Sequence, residues 1–320
     1  MTTTRTLLSL AEDYLAERRA LGFDLRIPGD QIIAFARFVD ATGHTGPLTT
    51  RITLDWVQGQ AKYAKPLTWA RRLELLRPFA RYLAGLDPAT EFPQGAIFGR
   101  SHRRLAPHIY SEQEIRDLLA ATRRLAPHGG LRPATYEMIF GLIAATGLRL
   151  SEALHLRCGD VDRDQGVLTV RNTKFRKSRY VPLHPTVVAA LSRYVVERAR
   201  HGAIDRDALL FLSSSGGLLP TRTVHWVFQR LRGELGWTAR GAYSQVRIHD
   251  LRHTFICRRV QLWHEHGADI GNAMAALSTY VGHAKVSDTY WYLTGVPELM
   301  AIAGGRFERF AAVVGGDHNG

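Results

Sequence analysis

Residues 166–183 read GVLTVRNTKFRKSRYVPL. Gly166–Val170 and Arg179–Leu183 are short β-rich runs, and the polar stretch Arg171–Ser178 between them makes the whole a hairpin. The surrounding sequence is helical. Downstream, apolar periodicity predicts helices at about Pro185–His201, Thr221–Leu235, His249–His266 and Ala268–Tyr280. Upstream, Ser111 followed by Glu114 is a capping box that opens another helix. The fold class expected is therefore mainly α with a small β-hairpin (α+β).

Further toward the N-terminus the texture changes. Pro88, Pro93, Gly95, Gly99 and Pro107 interrupt regular structure, and Arg100, His102, Arg103 and Arg104 form a basic run. Residues 88–107 read as a basic interdomain linker, with a helical domain over 1–87 and a second domain over 108–320. In the first domain Leu8, Ala11, Leu15 and Arg18 share a helical face that stops at Gly22. A second helix runs from about Gly29 to Thr42, and a third starts near Thr53. A fourth, Thr68–Leu83, turns Trp69, Leu73, Leu76, Phe79 and Tyr82 inward and Arg71, Arg72, Arg77 and Arg81 outward. Such an arginine face is either simply solvated or tracks phosphates.

The bulk numbers narrow the partner. The chain has 320 residues, 45% of them hydrophobic, and a formal charge of +13. That composition excludes a disordered chain and favours a polyanionic partner. No stretch approaches the ~20 apolar residues that span a bilayer, so no membrane partner is expected. The opening MTTTRTLLSLAEDYL is broken at Glu12 and Asp13, so no secretory leader is expected either. The two cysteines, Cys158 and Cys257, form no CxxC pair and read as reduced thiols in a cytoplasmic protein.

Four motifs carry chemistry. In Ala144–Leu154, AATGLRLSEAL, a turn at Thr146-Gly147 separates two apolar helices and leaves Arg149 near the start of the second. A guanidinium there can bind a phosphate bidentately, or pair with Glu152, or do both. In HDLRH, His249 and Arg252 stand three residues apart on one helical face, able to grip two oxygens of one phosphate. His249 and His253 also have a metal-ligand spacing, but no HExxH arrangement accompanies them, and the expectation is no metal and no cofactor. His253 itself reads as a capping or core histidine. Lys174, Arg176, Lys177 and Arg179 lie in or beside the hairpin loop, where a partly desolvated lysine could protonate a leaving oxygen; Lys177 rivals Lys174 for that role. In VGHAKVSDTYWYL, Gly282 stops a helix and leaves His283 at a bend, with Tyr290 and Tyr292 following. Two residues on a helix differ by about 200°, so the two phenols face opposite sides and one of them is a packing residue.

The ordered set Arg149, Lys174, His249, Arg252, His283 and Tyr292 resembles the tyrosine recombinase, or phage integrase, family, over roughly Tyr110–Thr294. TGLRLSEAL and HDLRH are close to that family's usual wording, and the nine-residue step from His283 to Tyr292 is its usual step, which selects Tyr292 over Tyr290. Val281 in place of a common Leu, and SDTYWYL in place of paired threonines, suggest a transposon or mobile-element subgroup. The resemblance implies a two-domain DNA clamp made of a core-binding domain and a catalytic domain. It implies strand cleavage through a 3′-phosphotyrosyl link to Tyr292 and rejoining without metal or ATP. The arginines and His283 would stabilise charge, and His249 would accept a proton or donate a further hydrogen bond. It also implies double-stranded DNA as partner, a homo-oligomer (a tetrameric synapse), accessory proteins as an option, and a cytoplasmic, nucleoid-associated location. Arg71, Arg72, Arg77, Arg81, Arg103, Arg104, Arg176 and Lys177 become the candidate DNA contacts. Leu299, Ile302, Phe307 and Phe310 form an apolar stripe that docks either on a second copy or on its own domain. Strand relaxation of the type IB topoisomerase kind, a catalytically silent DNA-binding protein and a nuclease are the rivals left open by sequence.

Overall fold

The computed structural model describes residues 5–59, 65–101, 104–171 and 178–295, with Gly304. It divides into two compact units, Met1–Arg104 and Leu105–Gly320.

The first unit contains α1 (Leu7–Ala20), α2 (Arg26–Ala41), α3 (Thr50–Gly59) and α4 (Pro66–Leu86). Thr6 caps α1, and the Asp40 carboxylate of α2 accepts from the Leu7 and Leu8 amides at 2.9 and 3.0 Å, so one acid of the neighbouring helix satisfies two otherwise orphaned donors. Leu15, Phe35, Val39, Trp56, Leu76 and Phe79 form the shared core. Leu21, just past the end of α1 at Ala20, is 65% exposed.

Residues beyond α4, at the start of the stretch read as a linker, fold back on the first unit. The Glu91 amide donates to the Leu48 carbonyl at 2.7 Å, and Phe92 and Phe98 pack on the helical core. Arg77, expected to face outward, holds this return segment: its guanidinium donates to the carbonyls of Pro93 and Gly95 and to Glu74. Arg72 is half-buried and lies over the Trp56 ring. Arg71 and Arg81 are exposed as expected. At the other end of the stretch, the Ala106 carbonyl accepts from the Ala242 amide, within the second unit.

The second unit opens with α5 (Glu112–Thr122), whose capping box is formed by Ser111 and Glu114. Helix α6 (Leu131–Thr146) is buried along most of its length and packs against α5, α8 (Pro185–Ala199) and α10 (His249–Glu265). After the short α7 (Leu150–Leu154) comes a three-stranded antiparallel sheet: β1 (Val161–Asp162), β2 (Val167–Val170) and β3 (Arg179–Pro182), in that order. The expected hairpin is β2–β3, in the register Leu168 to Val181 and Val170 to Arg179. The added strand β1 is joined to β2 by a turn in which the Asp162 carboxylate accepts from the Asp164 and Gln165 amides. Helices α9 (Thr221–Glu234), α11 (Ile270–Val281) and α12 (Ser287–Gly295) complete the unit. Among the described residues no helix is long and apolar enough to cross a membrane.

Candidate active site

The site is organised around the C-terminal end of α11. Gly282 ends that helix in the left-handed conformation, φ 68°, with the His283 amide returning to the Ser278 carbonyl at 2.9 Å. A helix end carries carbonyls without intrahelical donors and a partial negative charge. Three guanidiniums meet them in sequence. Arg179 donates to the Tyr280 carbonyl at 2.8 Å, Arg252 to that of Val281 at 2.7 Å, and Arg149 to that of Gly282 at 2.9 Å.

Glu152 ties two of the three together. Its carboxylate accepts from the Arg149 amide and guanidinium at 3.0 and 2.8 Å, and from both terminal nitrogens of Arg179 at 3.1 and 2.8 Å. Burial alone would raise its pKa. The hydrogen bonds and charge of Arg179, then those of Arg149, reverse that effect and hold it at about 2. Arg252 is fully buried and also donates to the Gly147 carbonyl at the end of α6. Gly147 sits at φ 65°, and a Cβ there would meet the Phe255 ring at 2.6 Å, so this turn requires glycine. Burial, and next the charge of Arg149, pull the Arg252 pKa down to about 9, which leaves it charged at neutral pH. A guanidinium offers five N–H donors. The backbone and carboxylate bonds above engage two on Arg149 and two on Arg252, so both can also bind an oxyanion.

Three histidines and a phenol border this cationic centre. Tyr292, on α12, is buried at 3% exposure, and its hydroxyl lies 2.6 Å from Nδ1 of His253. Its ring lies nearly parallel to that of His283, with centroids 6.3 Å apart, and His283 Nδ1 is 2.6 Å from the Thr289 hydroxyl. His249 packs edge-on against His253 with ring centroids at 4.6 Å. It keeps solvent contact at the first turn of α10. Loss of water around the ring, then the charges of Arg252, Arg247 and Arg149, bring its pKa to about 4. The same causes, burial first and then His249, Arg247, Arg252 and His283, bring His253 to about 2. Both imidazoles are thus neutral at physiological pH, next to permanent cations.

The structure therefore brings Arg149, His249, Arg252, His283 and Tyr292 together. Lys174, Arg176, Lys177 and Arg103 lie outside the described residues, as does the apolar stripe from Leu299 to Phe310. Arg104 is exposed at the junction of the two units. Tyr290 and Tyr292 do face opposite ways, but Tyr290 does not pack as expected: it is 42% exposed and directs its hydroxyl toward the Gly271 carbonyl at 3.5 Å, while Tyr292 is buried. Two residues were underestimated by sequence. Arg179, grouped with the cationic loop, is a brace whose side chain is 10% exposed, and His253, read as a capping or core histidine, touches the hydroxyl of Tyr292. Among the described residues no group of three His, Cys, Asp or Glu side chains could hold a metal ion.

A sequence model of the phage integrase family matches residues 109–296. The chain is 40% identical over 308 residues to a putative integrase/recombinase, y4rB, of Sinorhizobium fredii, covering 95% of this chain and 98% of that one. It is 33% identical over 233 residues to the tyrosine recombinase XerD of Caulobacter vibrioides, 72% of each chain. Among solved structures, the Tn1549 transposon integrase in complex with circular intermediate DNA superposes with a TM-score of 0.68 at 20% identity, over 96% of this chain and 100% of that one. The XerH site-specific recombinase bound to its palindromic difH substrate gives 0.60 at 17% identity, over 87% and 78%. At those identities the structural likeness establishes a shared fold.

Proposed function

Because this chain belongs to the phage integrase family, the tyrosine recombinases, we propose that it cleaves and rejoins double-stranded DNA through a 3′-phosphotyrosyl link to Tyr292. It is a site-specific recombinase by family, and the steps are assigned from the chemistry of its own residues. The observation that carries the reading is the convergence of Arg149, Arg252 and His283 on the end of α11, with the Tyr292 phenol among them.

Arg149 and Arg252 bind the non-bridging oxygens of the scissile phosphate. Their anchoring to backbone carbonyls means that little reorganisation accompanies charge build-up, which is where such donors are most effective. The Tyr292 oxygen attacks phosphorus as the bond to the 5′ oxygen breaks. As the O–H turns away from His253, the phenol proton passes to His249, neutral at working pH and more basic than His253, and the departing 5′ oxygen takes a proton from Lys174. His283 contributes a further donor to the phosphoryl oxygens. The phosphodiester energy is retained in the tyrosyl ester, so the reverse attack by a 5′-hydroxyl needs no nucleotide. The partner in this proposal is DNA, bound by a homo-oligomer that pairs two sites; it is supported by the shared fold of the Tn1549 integrase, described in complex with circular intermediate DNA, and of XerH, described bound to its difH substrate.

The test is a nicked suicide duplex from the ends of the protein's own genetic element, incubated with EDTA and run on a denaturing gel. A covalent protein–DNA band is expected from the parent protein and from Tyr290→Phe, and none from Tyr292→Phe, which still binds the duplex. A band that survives in Tyr292→Phe overturns the assignment. Joined products from two sites separate recombination from strand relaxation or binding alone.

A further inference from the structure

His253 has no part in the chemistry above, yet it is the side chain whose nitrogen lies against the Tyr292 hydroxyl, at 2.6 Å. It follows Arg252 directly on α10, so the helix that presents one phosphate ligand also presents this contact. The two rings are tilted by 49° with centroids 5.4 Å apart, the Tyr292 ring lies flat along His283, and the Trp291 ring meets it edge-on. A neutral imidazole can only accept at an unprotonated Nδ1. With the ring proton on Nε2, Nδ1 accepts from the phenol, and the hydrogen bond ties the phenol oxygen to α10 until its proton leaves.

We infer that His253 is the positioning residue for the nucleophile: its Nδ1 accepts the Tyr292 O–H hydrogen bond and sets the rotation of the phenol, so that the oxygen is presented beside Arg252 in one orientation. This rests on Tyr292 being the nucleophile. Two features favour positioning over proton removal. His249 and His283 crowd His253 together with Arg247 and Arg252, and a further positive charge in that company is strongly disfavoured. A neutral acceptor that never takes the proton still confines the tyrosine, and confining an attacking atom is worth large factors in rate, since a displacement of about 1 Å can cost ~10²-fold.

The test compares three variants by single-turnover cleavage of the suicide duplex at saturating protein, with the adduct mapped by peptide sequencing. His253→Asn keeps an acceptor where Nδ1 was; His253→Gln moves it to where Nε2 was; His253→Phe keeps a ring without an acceptor. The expected order is parent and His253→Asn within a few-fold, His253→Gln slower, and His253→Phe slower by about 10- to 100-fold with unchanged DNA affinity. The pH–rate profile of His253→Asn should superimpose on the parent's, whereas a residue that took the proton would lose a limb of the profile. If His253→Phe does not fold, as read by thermal melting, the Asn–Gln comparison decides. Equal rates for Asn and Gln, a His253→Phe protein as fast as or faster than the parent, or an altered profile in His253→Asn overturns the inference while leaving the nucleophile intact. An adduct mapped to a residue other than Tyr292 overturns the proposed function as well.

Discussion

Two arginine-rich regions of this protein use the same side chain differently. At the end of α11, Arg149, Arg179 and Arg252 each donate to one of three consecutive carbonyls, and a buried carboxylate locks two of them. On α4, Arg77 is likewise spent on carbonyls, those of Pro93 and Gly95, while Arg71 and Arg81 stand in solvent. The difference lies in what remains after bracing. Arg149 is braced and still 30% exposed; Arg77 is braced and bordered by its own chain. The first arrangement holds cations fixed where the proposed mechanism develops charge, and the second closes a structural return.

Removing the deepest brace should have the largest effect. Arg252→Ala deletes one oxyanion donor, worth ~10²–10³ in rate, and strips the Gly147 and Val281 carbonyls of their donor at about 1–3 kcal/mol each. The expected result is no detectable adduct and a lower melting temperature. Wild-type cleavage in this variant would sink the phosphate-binding role.

Glu152 gives a pH signature of the same brace. Its carboxyl is at about 2 in the folded chain against 4.5 ordinarily, so it stabilises the fold fully above about 4.5. That contribution, on the order of 3 kcal/mol, is lost as pH falls from there through about 2. Glu152→Gln should flatten this acid limb in denaturant titrations and reduce cleavage at neutral pH, where Arg149 loses its orienting partner. An unchanged acid limb would show that other carboxylates dominate it.

Gly282→Ala tests how tightly the turn is packed. Its Cβ would lie 2.7 Å from an Arg179 guanidinium nitrogen at φ 68°, so both the left-handed strain and the displaced brace act together. A loss of about 1–3 kcal/mol is expected from the backbone alone, with slower cleavage because the Val281 and Gly282 carbonyls move. Arg77→Ala should be milder, about 1–2 kcal/mol in the first unit, with the cleavage rate at saturating DNA unaltered.

The comparison also explains what could be read in the sequence. Helix ends such as Ser111 and Gly282 were legible because capping is local, and the site was legible because Arg149, the HDLRH pair, His283 and Tyr292 occur in a fixed order. Arg179 and Arg77 were not, since an arginine looks the same whether its partner is water or a carbonyl; Arg179's is Tyr280, 101 residues away. His253 has the same difficulty, with its partner 39 residues on. Strand β1, with two residues, is too short to show a period.

The smallest effect is expected where the arginines of α4 remain in water. Arg71 and Arg81 are exposed; Arg71 reaches the Ser101 carbonyl at 3.4 Å, and an exposed long-range bond of that length adds little. If they contact phosphates, Arg71→Ala and Arg81→Ala should each lower the slope of log affinity against log salt by about 0.9, with a few-fold loss of binding at moderate salt and no change in folding or in the cleavage rate of the bound complex. Arg77→Ala provides the control, since its guanidinium is held by Glu74 and two carbonyls: it should destabilise the first unit while leaving the salt slope of the remaining folded protein unchanged. Identical slopes for all three variants would remove α4 from the DNA-contacting surface. A reduced slope for Arg77→Ala alone would mean that the return segment it holds, rather than the exposed face of the helix, meets the phosphates.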